Sequence, residues 1–298
     1  MQVSAAQPFN IVATTSMITD LVRSIGGEAA TVRGLMGPGV DPHAYRQTRT
    51  DIVAMTRADA VFWHGLYLEA QMEDFFAQLA RRVPVVAAAD RIATDKLIAH
   101  ADYAGRYDPH IWMDPTIWAE CADVVANELG LLRPDFADLF MANAETFRKD
   151  ALTLDEYARD VLSRVPEERR VLVTAHDAFG YFGEAYDFAV EGIQGISTES
   201  EAGLNRIITL VDLLVERQVP AVFTESSVSD RNVRALIEGA AAKGHNVRLG
   251  GSLFSDAMGR EGTYEGTWLG MIDHNVTTIA AALGADVPAT GRLGKLGS

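Results

Sequence analysis

His43, His110, His176 and Asp256 are the residues of this chain best suited to hold a divalent cation, and they lie about 70 residues apart. Two of the histidines share a setting, Asp41-Pro42-His43 and Asp108-Pro109-His110, each ahead of a helix-like run. Proline stiffens the approach and restricts the residue before it, which fixes where the imidazole points. His176 follows the apolar run Val171 to Ala175, and Asp256 follows Gly250-Gly251-Ser252-Leu253-Phe254-Ser255; both are expected at strand ends, as are His43 and His110. Open α/β sheets bind their ligands at that edge. Three imidazoles and one carboxylate make a complete set of donors for an ion such as zinc. Sites so far apart in sequence must be assembled by the fold, and a site drawn from both halves of a chain can close around an ion and open again.

Each of these residues also has a structural reading. A single histidine at a strand end is as often a packing group as a ligand, and it is the shared placement of three that favours ligation. Asp256 suits a helix N-cap. Glu225, at the end of the run Ala221 to Thr224, is the rival carboxylate, able to serve as a ligand or to orient a histidine. His64 closes the run Val61-Phe62-Trp63 and belongs near the same edge. His274 falls in a long amphipathic run and reads as a hydrogen-bonded packing residue; His245 reads as a turn residue and His100 as an exposed loop residue.

The elements that must position these groups alternate between short apolar runs and helical patterns. Strands are expected at Phe9 to Thr14, Thr31 to Leu35, Ala60 to Trp63 and Val83 to Ala87, with Ser16 capping a helix from Ile18 to Ile25. The second half repeats the pattern, with strands at Val171 to Thr174, Phe188 to Val190, Ala221 to Thr224 and Val247 to Leu249. Its helices are expected at Phe179 to Ala185, Leu204 to Arg217, Val233 to Lys243 and Thr267 to Leu283. Between the halves, apolar residues recur at steps of three and four from Phe136 to Leu162, with no Gly or Pro between Pro134 and Pro166. The pattern predicts an α/β protein of two lobes with mostly parallel sheets, 9–132 and 166–288, joined by one long rigid helix at 133–165. A helical connector resists wide hinge motion, so release of a bound ion is expected to involve local movement of ligand loops.

Composition narrows the function. The 298 residues carry 26 basic and 41 acidic side chains, a net charge of −15, which argues against a nucleic-acid partner. Cys121 is the sole cysteine, so neither a disulfide framework nor a cysteine-rich metal motif exists. No apolar run reaches the ~18–20 residues of a membrane span. Ser4-Ala5-Ala6 resembles the tail of a leader peptide, and the stretch from Gly291 to Ser298 reads as a tail outside the fold. Phosphate-binding loops, a dinucleotide fingerprint, a nucleophile elbow and His-Glu-x-x-His are all absent. A zinc-dependent hydrolase is the rival function, but four protein donors would leave no place for water, and Glu225 alone could act as base. A surface adhesin holding structural zinc is a third reading.

Five segments carry a resemblance. They are Gly37-Pro38-Gly39-Val40-Asp41-Pro42-His43-Ala44-Tyr45; Gly65-Leu66-Tyr67-Leu68-Glu69; Asp108-Pro109-His110-Ile111-Trp112-Met113-Asp114-Pro115; Thr174-Ala175-His176-Asp177-Ala178-Phe179-Gly180-Tyr181-Phe182; and Leu253-Phe254-Ser255-Asp256-Ala257-Met258-Gly259. Through them the chain, from about Ile11 to Ala282, resembles the TroA-like zinc/manganese solute-binding proteins of bacterial ABC transporters. The resemblance implies a metal held in a cleft between the lobes by His43, His110, His176 and Asp256. The ion, Zn2+ or Mn2+, would be transported cargo and not a catalytic cofactor. It further implies a membrane ABC permease as partner, a monomer, and a periplasmic location; the absence of a lipidation cysteine favours a free form over a lipid-anchored one. His at position 176 favours zinc, since manganese-selective members often carry Glu there, although the His-rich loop of many zinc importers is missing. His64 departs from the Asn common at that position. Because imidazoles must be neutral to bind, affinity is expected to fall as pH drops through ~6.5.

Overall fold

A computed structural model describes residues 9–100 and 104–297; Ser4-Ala5-Ala6 lies outside them. The first half runs β1 (Phe9–Ala13), α1 (Ser16–Gly26), β2 (Ala30–Gly34), α2 (Arg49–Arg57), β3 (Ala60–Trp63), α3 (Glu73–Leu79) and β4 (Val85–Ala87). Two helices follow, α4 (Pro115–Leu132) and α5 (Ala137–Ser163). The second half runs β5 (Val171–Thr174), α6 (Gly180–Tyr186), β6 (Ala189–Gly192), α7 (Leu204–Glu216), β7 (Ala221–Glu225), α8 (Arg231–Ala242), β8 (Arg248–Leu253) and α9 (Trp268–Ala282).

Strands β1 to β4 form a parallel sheet in the order β2-β1-β3-β4. Ile11, Val12 and Ala13 are buried in succession, as a strand covered on both faces requires. One face packs on α1, whose Met17, Ile18, Leu21, Val22 and Ile25 recur at helical spacing. The other face carries Val12 and Val61 against Met55 of α2 and Phe76 of α3. In the second lobe β5 pairs with β6 and β7 with β8, again in parallel. A register shift at Val222/Phe223 accommodates Gly250-Gly251 opposite, and Gly251 has φ +148°.

The expected connector is α5, a helix of 27 residues, or about 40 Å at 1.5 Å per residue. It starts later than Pro134, which instead begins a 3-10 turn, Pro134–Phe136. Helices α4 and α9 pack along it, so the spine is a helical layer and not a lone rod. One continuous apolar core joins Leu21 of α1, Trp118 of α4, Phe140 and Leu154 of α5, and Trp268 and Ile279 of α9. A core shared by both lobes opposes their wholesale separation.

Two terminal readings change. Thr15, not Ser16, caps α1: its extended backbone (φ −77°, ψ 162°) lets the side chain accept from the Ile18 N–H, while Ser16 is already helical. The segment from Gly291 onward is docked as far as Gly297 and does not trail free. Arg292 N–H donates to both oxygens of Asp273 at 2.9 and 3.0 Å, and Gly297 N–H donates to Glu265 at 2.7 Å.

Candidate metal centre

The loops that leave β2, β5 and β8 meet the segment ahead of α4, and the four expected residues converge there. His43 Nε2 lies 3.4 Å from His110 Nε2 and 3.8 Å from Asp256 Oδ2. His110 Nε2 lies 3.3 Å from Asp256 Oδ1, and His176 Nε2 lies 3.0 Å from Asp256 Oδ2. All four residues are buried, and their donor atoms lie within 4.8 Å of one another. His43, His176 and Asp256 stand past strand ends, as expected. His110 does not: it follows the long segment after β4 and opens the 3-10 turn Ile111–Met113 that leads into α4.

Both Asp-Pro-His units fold into the same Asx turn. The N–H of His43 donates to Asp41 Oδ1, and that of His110 to Asp108 Oδ1, each at 2.9 Å. In the second unit Asp108 Oδ1 also lies 2.6 Å from His110 Nδ1. A carboxylate oxygen accepts, so Nδ1 carries the proton and Nε2 keeps its lone pair for a metal. Glu225 does the same for His176, taking its backbone N–H at 2.9 Å and its Nδ1–H at 2.5 Å. Glu225 thus stands behind a histidine rather than replacing Asp256. The role of Asp108 was not read from the sequence; an acid two residues ahead of a ligand histidine was the available signal.

The remaining histidines fall elsewhere. His64 is fully buried, and its Nε2 lies 2.6 Å from the Pro109 carbonyl, to which it donates. It stands edge-on to Trp112 at 4.9 Å. Burial holds its pKa down at about 3, so it is neutral and braces the His110 segment without joining the donor set. The turn after it explains the Gly65 to Glu69 motif. Gly65, Leu66 and Tyr67 all have positive φ (93°, 51° and 65°), a conformation costing about 1–3 kcal/mol at each of the two non-glycine residues. Buried Glu69 holds that turn by accepting from Thr14 Oγ1 at 2.6 Å and from the N–H groups of His64 and Gly65 at 2.9 and 3.2 Å. His274 Nε2 donates to the Ser252 carbonyl at 2.9 Å. His245 bonds the Val219 carbonyl in a turn. His100 is half-buried, not exposed, and lines a cavity of about 210 Å³ that reaches His43. Cys121 is buried, and burial pushes its thiol far above the usual range, consistent with an inert packing residue.

The electrostatics suit a cation. Asp108, Glu225 and Asp256 bring three buried carboxyl groups to one small volume. Burial alone would depress His110, but Asp108 and Asp256 outweigh it and raise its pKa to about 9. Burial likewise opposes protonation of His176, and Asp256 and Glu225 raise it well above the ordinary value. His43, without a carboxylate behind its ring among the described residues, is lowered by burial to about 3 despite Asp256. Asp256 is held well below the usual carboxylate range by His176 and His110, against its burial. Protons therefore compete with a cation for the ring nitrogens of His110 and His176.

The donor set fits a metal by a direct observation. His176 Nε2 and both oxygens of Asp256 are buried without a hydrogen-bond partner, although His176 Nε2 and Asp256 Oδ2 are 3.0 Å apart. Tetrahedral zinc with bonds of ~2.0–2.1 Å would place its donors ~3.3 Å apart. The four separations given above, 3.0 to 3.8 Å, bracket that value, within a set that spans no more than 4.8 Å.

Comparison with known proteins gives the same frame. Residues 11–282 match the family described as zinc-uptake complex component A, periplasmic. The manganese-binding lipoprotein MntA of Bacillus subtilis is 45% identical over 280 residues, covering 94% of this chain and 91% of its own. The zinc-binding protein TroA of Treponema pallidum is 42% identical over 273 residues, covering 92% of this chain and 88% of its own. Its solved structure superposes with a TM-score of 0.90 over 93% of this chain and 99% of that one. The iron-binding protein YfeA of Yersinia pestis is 30% identical over 279 residues, covering 94% and 88%. The chain belongs to the family of zinc-uptake complex component A, the periplasmic solute-binding proteins of metal ABC transport.

Proposed function

We propose that the protein captures one divalent transition-metal ion between His43, His110, His176 and Asp256 and delivers it to the permease of an ABC transporter. The observation that carries this reading is that His176 Nε2 and both Asp256 oxygens are buried without a hydrogen-bond partner, in a cluster whose four donor atoms lie within 4.8 Å of one another. Burying such atoms unpaired is unfavourable, and a bound cation removes the penalty. Three imidazoles favour zinc, toward which divalent affinity rises from manganese. Both oxygens of Asp256 face the cluster, however, and together they give manganese a fifth donor. With four protein groups around the ion no position remains for a reactive water, which weighs against hydrolysis.

We read the chain as a monomer of two lobes, 9–132 and 166–288, bridged by 133–165. Among the described residues no helix is long and apolar enough to cross a membrane. The relatives lean toward a lipid anchor, since MntA of Bacillus subtilis and PsaA of Streptococcus mitis are both named lipoproteins. They count against the expectation of a free form, and we place the protein outside the cytoplasm.

The test is competitive titration of metal-stripped protein with zinc and manganese. Trp112, 5.2 Å from His110, is a built-in fluorescence reporter. Saturable binding of one ion supports the reading, and zinc that manganese cannot displace supports the preference.

A further inference from the structure

The two Asp-Pro-His turns differ in one respect. Among the described residues the Asp108 side chain bonds only the backbone and ring of His110, and it is the Asp108 carbonyl that reaches the other lobe, accepting from the Tyr181 hydroxyl at 2.8 Å. Asp41 bonds the backbone of His43 through Oδ1 but turns Oδ2 across the cleft, where it accepts from Thr198 Oγ1 at 2.6 Å. Thr198 belongs to the loop 195–200 that follows β6 in the other lobe. A second tie lies beside it, Gln71 Nε2 donating to Glu199 Oε1 at 2.7 Å. The loop is held to its own lobe by buried Gln194, whose side chain donates to the Ser200 carbonyl at 3.2 Å. Ile196, Ser197 and Glu199 of this loop, with Tyr67 and Tyr107 opposite, wall the cavity that reaches His43.

His43 is also the one ligand histidine whose ring has no carboxylate behind it among the described residues. Its position rests on the Asp41 turn, and Asp41 is shared with the opposite lobe. We propose that Thr198 is a positioning residue that latches the metal site: through Asp41 it fixes His43, and its hydrogen bond sets how fast the ion leaves. This rests on the metal-capture reading and adds where the site opens. Breaking the Thr198–Asp41 bond leaves the loop with the Gln71–Glu199 tie to the amino-terminal lobe and lets the His43 turn relax, while His110 and His176 keep the carboxylates behind their rings. The lobes need not separate, in keeping with the core they share.

The experiment is stopped-flow release of zinc and of manganese from loaded full-length protein into excess chelator. The variants are Thr198→Val, which keeps the shape and removes the hydroxyl, and Thr198→Ser, which keeps the hydroxyl. Loss of a hydrogen bond to a charged group is expected to speed release roughly tenfold or more in Thr198→Val, with Thr198→Ser near wild type. The melting temperature of metal-free protein should be unchanged, which separates latching from general stability. Should Thr198→Val fail to fold, Gln71→Ala cuts the neighbouring tie, and faster release from it supports the latch. Release from a folded Thr198→Val within twofold of wild type overturns the proposal while leaving metal capture intact. A wild-type protein that binds neither ion overturns the capture reading and the latch with it.

Discussion

Asp256 Oδ2 stands 3.0 Å from His176 Nε2, and neither atom has a hydrogen-bond partner. The reason lies behind the ring. Glu225 accepts from the Nδ1–H of His176, so a neutral His176 has only the Nε2 lone pair left to offer a carboxylate that itself offers only lone pairs. Protonation or a metal ion resolves the conflict, and the two compete.

That competition sets the pH dependence. His110, at about 9, and His176, also raised, carry protons in metal-free protein at neutral pH. A group with a raised pKa keeps its proton until the pH passes the raised value, so metal affinity should climb through neutrality toward pH 9, beyond the ordinary histidine range. The apparent Kd should fall by at least about tenfold per pH unit from 6 to 8. Titrations at several pH values check this, and a flat profile would show that no proton is displaced.

Glu225→Gln removes the charge behind His176 while keeping its shape. Partners of this kind typically govern metal affinity by about 10–100-fold, and a loss of that size is expected here with the fold retained. Competition against a chelator of known affinity, beside a thermal melt, measures both quantities.

Replacing His176 with Glu would place a second carboxylate against buried Glu225, which lies at 5% exposure. His176→Glu alone should therefore destabilise metal-free protein by about 3–5 kcal/mol. Adding Glu225→Gln should recover most of that loss, and the double variant should favour manganese over zinc relative to wild type. Denaturant titration of the single and double variants, followed by metal competition, tests both parts.

His64 fills a wholly buried space beside Trp112 and donates to the Pro109 carbonyl. His64→Ala leaves a cavity and an unpaired carbonyl next to His110, at a cost of about 2–4 kcal/mol. Chemical unfolding should register that loss.

The parts legible in the sequence were those with local signals. Apolar runs located the strands of the first sheet within about two residues, and helical spacing located α5 and α9. The residues that converge were recognisable because proline and strand ends restrict where their side chains point. Contacts set by tertiary packing were not. Asp108 and Glu69 act through hydrogen bonds to backbone groups brought near by the fold, and left-handed Leu66 and Tyr67 contradict their own preferences because Glu69 and Asp90 hold that turn. The Thr198–Asp41 bond joins residues 157 apart and has no sequence signature. His110 was placed at a strand end because an Asp-Pro-His unit looks alike after a strand and before a helix.

The most direct measurement is the metal content and affinity of metal-stripped wild-type protein reloaded with zinc, compared with Asp256→Ala and His176→Ala. One tightly held ion per chain in wild type, and at least about hundredfold weaker binding in each variant, is the predicted result. An Asp256→Ala protein that folds and binds zinc as tightly as wild type would contradict the assignment of this site.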